Sequence, residues 1–220
     1  AIASAADIVP PGGPSSWRWF HPLNGQDPAV SIPGFQTNWK SPAYSDLSWT
    51  AGNGLMAYGV IGVSPGAAIN TNIGVPVSGQ RYTAYFRHAF QAPEGSPAGL
   101  TMEFICDDAA IIYLNGTEAG RFAIPPAGNF AAAPDTFTLL GPSAGTDADE
   151  TSIRTLSLPP AVTAGSNVLA LSVHNQSATS SDLAFRLHSL TAGHWTGPVW
   201  ATVSVSGASS PPVLTPDNYT

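Results

Sequence analysis

Asp147, Asp149 and Glu150 fall in one short run, and such a density of carboxylates suits a hard cation. Calcium takes about six to eight oxygen ligands, most of them from carboxylates, carbonyls and water. The run lacks the ligand spacing of an EF-hand loop, and a solvated acidic loop would have the same composition. Calcium at these three residues is therefore the single cofactor expectation, set against a purely structural loop. A second acidic pair, Asp107-Asp108, follows an apolar segment and is expected to accept backbone N–H bonds at a turn. His174, Arg186 and His188 lie on the polar faces of two late strand-like segments, and Arg87 on an earlier one. If those strands pair, the side chains form a patch suited to sugar hydroxyls. The competing expectation is a structural network in which Asp182 and Asp108 neutralise them. Trp39 and Trp49 stand in loop-rich sequence, where an indole can stack on a sugar ring or else pack into a core. Trp39, Trp49, Arg87, His174, Arg186 and His188 thus make up the expected ligand-binding set.

Catalytic signatures are weak. Gly141-Pro142-Ser143-Ala144-Gly145 spells the nucleophile-elbow pattern, which needs a strand before it and a helix after it. The residues that follow read as loop, so the match is rejected. No HExxH or CxxC motif occurs, and His21, His88 and His194 lack the spacing of a metal site. Cys106 is the sole cysteine, closes an apolar strand and reads as a small buried hydrophobe. No enzymatic activity is expected.

Strands must position these groups. In Cys106–Phe122, Ile111 and Tyr113 alternate with Ile112 and Leu114, and Asn115-Gly116 then supplies a tight hairpin turn. Both central residues of such a turn take positive φ, which Asn and Gly tolerate best. Trp17 and Trp19 share one face of the first clear strand, with Arg18 and Phe20 on the other. Residues 81–91 and 100–106 form two more strands, followed later by 152–158, 167–175, 183–187 and 199–205. Within them Leu169, Leu171 and Val173 share one face, as do Leu183, Phe185 and Leu187. Strands of this length separated by Pro- and Gly-rich turns predict an all-β chain, an antiparallel jelly-roll sandwich.

The composition agrees. There are 22 Gly and 21 Pro among 220 residues, which disfavours long helices. Hydrophobic residues reach 43%, enough for a core, whereas charged residues are 10% against a usual figure of about 25%. Lys40 is the only lysine. A net charge of −7 argues against nucleic acid and anionic membranes as partners. No apolar run approaches the length of a membrane span. Few charges and abundant Thr, Ser, Gly and Asn point to an extracellular or cell-surface setting in a bacterium or archaeon. No leader-peptide pattern is present, and Ala1 is compatible with a mature terminus.

Trp17-Arg18-Trp19-Phe20, Ser45-Asp46-Leu47-Ser48-Trp49 with Gly52, and Tyr58-Gly59 together resemble the entry of galactose-binding-like jelly-roll modules of secreted bacterial proteins. Tyr85-Phe86-Arg87, Asp107-Asp108, Ile112-Tyr113-Leu114-Asn115-Gly116 and Arg121 are similar to their central motifs. Asn167-Val168-Leu169-Ala170, Val173-His174, Ser180-Ser181-Asp182 and Phe185 are similar to their closing motif. The likeness covers about residues 17–192. Ala109 departs from it, standing where such modules commonly place glycine. The resemblance implies a non-catalytic domain that accompanies hydrolases or adhesins and binds glycans or calcium.

The expected organisation is an extended tail over 1–16, a sandwich over 17–206 and a Pro-rich tail over 207–220. Two functions are consistent with it. The first is a glycan-recognition or adhesion module. The second is a self-assembling subunit of an extracellular filament or surface layer. There the apolar tail residues Ile2, Ile8, Val9, Val213 and Leu214 would dock on a neighbouring copy by strand addition.

Overall fold

A computed structural model describes residues 6–10, 16–62, 66–122, 133–143, 145–193 and 195–196. In chain order its strands are β1 (Ala6–Val9), β2 (Trp17–Phe20), β3 (Thr50–Gly52), β4 (Met56–Tyr58) and β5 (Thr71–Asn72). They continue with β6 (Thr83–Ala92), β7 (Ser96–Pro97), β8 (Leu100–Asp107), β9 (Ala109–Leu114) and β10 (Thr117–Phe122). The last are β11 (Arg154–Leu158), β12 (Gly165–His174), β13 (Leu183–Ala192) and β14 (Trp195–Thr196). A short 3-10 turn at Pro28–Val30 and one helical turn, α1 (Phe35–Asn38), lie between β2 and β3. The strand expected over 199–205 falls outside the described residues.

The expected antiparallel β-sandwich is what forms. One sheet runs β11-β8-β13-β4-β5, and β1 pairs with β13 beside β4; the other runs β10-β9-β12-β6-β2-β3. All of these pairs are antiparallel except β4 with β5. Period-2 alternation sends Phe86, Phe90, Ile112, Leu114, Leu169, Leu171 and Val173 of one sheet inward. They meet Met102, Phe104, Cys106, Leu183, Phe185 and Leu187 of the other. The two Trp residues of β2 also face this core, Trp17 fully buried and Trp19 partly. Asn115 takes φ 52° and Gly116 φ 86°, closing the β9–β10 hairpin as the sequence predicts.

A second core lies on the outer face of the β6/β9/β12 sheet. Phe35, Trp39, Trp49 and Phe137 from the overlying segments pack on Tyr85, Ile111, Tyr113, Val168 and Ala170. Strands β9 and β12 are therefore buried on both faces. The sequence expectation of a polar outer face on β12 is corrected here, because an aromatic cover takes the place of solvent.

The N-terminal segment is not a free tail. Asp7 pairs with Thr191 and Val9 with Leu190, while Ile8 and Val9 pack against the main core. Ile8 and Val9, expected to dock on a neighbouring copy, here pack within their own chain. The sandwich accordingly begins before residue 17. Ile2, Val213 and Leu214 lie outside the described residues.

Candidate functional site

Among the described residues, two polar regions gather charged side chains that could meet a ligand. The first is a groove over the edge strands β2 and β3. Arg18 on β2 stands directly beside Arg87 on β6, in register, with Ala51 of β3 on its other side. Like charges facing each other across paired strands are unfavourable unless neutralised. Asp46 supplies the neutralisation, with its Oδ2 accepting from Arg87 Nε at 2.9 Å. Arg87 is buried and spends the rest of its fork on the carbonyls of Trp39, Ser41 (3.1 Å) and Tyr44 (3.2 Å). That fan of bonds fixes the 39–46 segment over the sheet. Arg18 is only half-buried and, among the described residues, donates once, to the Trp49 carbonyl at 3.2 Å. The resulting groove, about 260 Å³, is bounded by Arg18, Asp46 and Arg87 together with Ser16, Ala51 and Gly52. Its chemistry is guanidinium donors beside a carboxylate acceptor, over small side chains that leave room for a ring.

The second region is acidic. Carboxylate oxygens of Asp107, Glu150 and Asp182 come within 4.8 Å of one another. Asp107 ends β8, where the chain leaves one sheet for the other, and Asp182 immediately precedes β13. Their approach follows from the β8/β13 register, in which Ala184 pairs with Asp107. Gly59 closes the corner. It has φ 86°, and a Cβ there would lie 2.4 Å from the Ser181 carbonyl oxygen, so only glycine lets these segments meet. Glu150 is drawn in by the Gly62 N–H, which donates to its Oε2 at 2.5 Å. Asp107 is 2% exposed, and its Oδ2 has no hydrogen-bond partner. Burial pushes its carboxyl well above the usual range, with the charge of Asp108 and a hydrogen bond to it adding to the effect. Burial also raises Glu150 against the Gly62 bond, and Asp182 against a bond from Ser181. The charge of Asp147 adds to both.

Of the three residues expected to ligate calcium, one lies among these converging carboxylates. Glu150 joins the cluster. Asp149 turns away, accepting from Thr146 N at 2.9 Å and Thr146 Oγ1 at 2.8 Å, which hold its carboxyl below the usual range. It also pairs with Arg154 at 3.6 Å. Asp147 contributes charge to the cluster without being one of the three converging carboxylates. Asp107 and Asp182 were missed as partners because they stand far from Glu150 in sequence and meet only through the strand pairing. Asp108 accepts a backbone N–H as expected, but from the remote Gln176 at 2.7 Å and not within the turn after its own strand.

The expected sugar-binding set is dispersed. Trp39 and Trp49 are buried in the outer aromatic cover and offer no stacking face. His174 and Arg186 share no patch, because β12 and β13 belong to opposite sheets. From β12 to β13 the chain crosses between layers, so these two strands do not pair. His174 is fully buried in a network with Thr83 (3.0 Å), Ser172 (3.0 Å) and Asp135 (3.4 Å). The Tyr113 hydroxyl donates to Asp135 at 2.8 Å and that of Ser172 at 3.1 Å. Burial would raise the Asp135 carboxyl, but bonds from His174, Tyr113 and Ser172 hold it below the usual range. Ser172 and Asp135 both sit on Nε2 of His174. A catalytic triad places them on opposite ring nitrogens, so this trio is a staple for the 133–139 segment. Arg186 and His188 are half-buried on β13, on the outer face of the other sheet. Of the six expected residues only Arg87 reaches the groove. Arg18 and Asp46 are the members that sequence reasoning missed. The signal for Arg18 was its place opposite Trp17 and Trp19.

No family model and no curated protein matches the chain. Among solved structures, a β-glucuronidase from glycoside hydrolase family 2 is 16% identical, with a TM-score of 0.39. The match covers 78% of this chain and 14% of that one. A β-glycosidase from Bacteroides vulgatus is 13% identical at TM-score 0.40, covering 84% of this chain and 20% of that one. A family 35 carbohydrate-binding module from an environmental isolate is 18% identical at TM-score 0.32, covering 62% and 84% respectively. The chain therefore spans a fifth or less of the length of these two hydrolases. At such identities and scores the likeness carries nothing about ligand or activity.

Proposed function

We propose that the chain is a non-catalytic, extracellular recognition module that binds glycan in the groove between Arg18, Asp46 and Arg87. One observation carries this reading. Two arginines stand side by side on paired strands, only Arg87 of them paired to a carboxylate, and both line one solvent-facing groove with Asp46. A purely structural ion pair would need only Arg87 and Asp46. Arg18 is left with unspent donors at a surface lined by small residues, where a sugar hydroxyl can both donate to Asp46 and accept from Arg18. The excess guanidinium, in a chain of net charge −7, favours sugars bearing carboxylates. Burial of the indoles of Trp39 and Trp49 leaves hydrogen bonding as the main means of recognition.

Isothermal titration against neutral and uronate-containing polysaccharides tests the reading. Binding to the uronate polymers is expected, weakened at least about tenfold in Arg18→Ala, the loss of one charge-assisted contact. No heat with any polymer, or binding untouched by Arg18→Ala, would overturn it.

A further inference from the structure

We propose that Asp107, Glu150 and Asp182 form a calcium site that ties the β8–β9 crossing to the two loops packed against it. The three carboxylates reach one point from three remote segments, and none of them forms an ion pair among the described residues. Asp107 Oδ2 is the decisive group. It is a buried carboxylate oxygen with no hydrogen-bond partner, costly as a charged group, and a cation between the three carboxylates would relieve that cost without a proton.

The donor set and its spacing suit calcium. Carboxylate oxygens up to 4.8 Å apart stand about two Ca–O bonds across, since calcium binds oxygen at about 2.3–2.6 Å. Magnesium, at about 2.0–2.1 Å, demands near-ideal octahedral geometry and keeps several waters, which suits three side chains from separate segments less well than calcium's flexible shell. An all-oxygen donor set without His or Cys also disfavours zinc. Asp147 adds negative charge at the edge of the cluster. The bound ion would hold 59–62, through Gly62 and Glu150, against the end of β8 and the start of β13. Its effect is on folding stability and is separate from the groove over β2 and β3.

The test uses the full chain, stripped with chelator and titrated with CaCl₂ alone, read by calorimetry and by thermal unfolding. One saturable site is expected, with a rise of several degrees in the unfolding midpoint. Asp182→Asn and Glu150→Gln, at partly exposed positions the fold tolerates, should each abolish the calcium-dependent rise. Asp149→Asn, which alters the neighbouring turn and the pair with Arg154 but none of the three converging carboxylates, should retain it. No heat and no shift at millimolar calcium would overturn the proposal, as would an undiminished shift in both Asp182→Asn and Glu150→Gln. A larger shift with MgCl₂ than with CaCl₂ would overturn the choice of ion.

Discussion

Replacing Arg87 with methionine keeps the apolar stem in place and removes the guanidinium. Four acceptors then lose their donor: Asp46 Oδ2 and the carbonyls of Trp39, Ser41 and Tyr44. Breaking a buried ion pair from one side costs about 3–5 kcal/mol, because the remaining charge is left uncompensated. Asp46 is 28% exposed and partly recovers water, which lowers the figure, whereas the orphaned carbonyls raise it. A net loss of about 3–5 kcal/mol is therefore expected, a large share of the roughly 5–15 kcal/mol that holds a domain together. With a urea m-value of about 2–3 kcal/mol/M, the unfolding midpoint should fall by about 1–2.5 M. Asp46→Asn alone should cost less, about 1–2 kcal/mol, since Arg87 keeps its three carbonyl partners. If Arg87→Met lost less than about 1 kcal/mol, the 39–46 cover would have to be held by its aromatic contacts alone.

Other perturbations follow from the same geometry. Burial lowers the His21 imidazole to about 4, against a bond to the Ile73 carbonyl, so it is neutral in the fold. The unfolded chain binds a proton below about pH 6.5, so stability should fall by up to about 3 kcal/mol between pH 6.5 and pH 4. Urea titrations of wild type and His21→Asn across that range would isolate the contribution; parallel pH profiles would refute it. His88 acts in the same direction, being lowered by burial against a bond to the Ser16 carbonyl. Gly59→Ala should cost more than about 2 kcal/mol, from strain at positive φ and the clash with Ser181, as measured by chemical denaturation. Asp135→Asn removes the shared acceptor of His174, Tyr113 and Ser172 and should cost about 2–4 kcal/mol. Its signature would be faster amide exchange over 133–139, and unchanged exchange there would count against the staple.

Much of the strand pattern was legible because alternation is local. Leu169, Leu171 and Val173, or Ile112 and Leu114, announce their inward face within a few residues. What stayed hidden depended on which layer each strand enters. His174 and Arg186 look like neighbours when β12 and β13 are assumed to pair, and the crossing at 175–182 separates them. The second core was signalled by Ala109–Leu114 and Val168–Val173, which carry no charged residue on either face, but nothing local named the segment that covers them. Trp39 and Trp49 were read as loop residues, which is their position in the chain, whereas Trp39 is buried against Tyr85 and Tyr113 and Trp49 against Phe20, Phe35 and Tyr44. The acidic cluster required the β8/β13 register, which no spacing in the sequence encodes.

Strand β12 has β6 along one edge and β9 along the other, with a hydrophobic layer above and below. Its amides have no route to solvent through fraying of an edge or the lifting of a single loop. Their deuterium exchange should therefore proceed only when the whole domain opens, at a rate set by global unfolding free energy. The peptide spanning residues 167–174 becomes an internal gauge of that free energy, readable by mass spectrometry without denaturant and in the presence of any ligand.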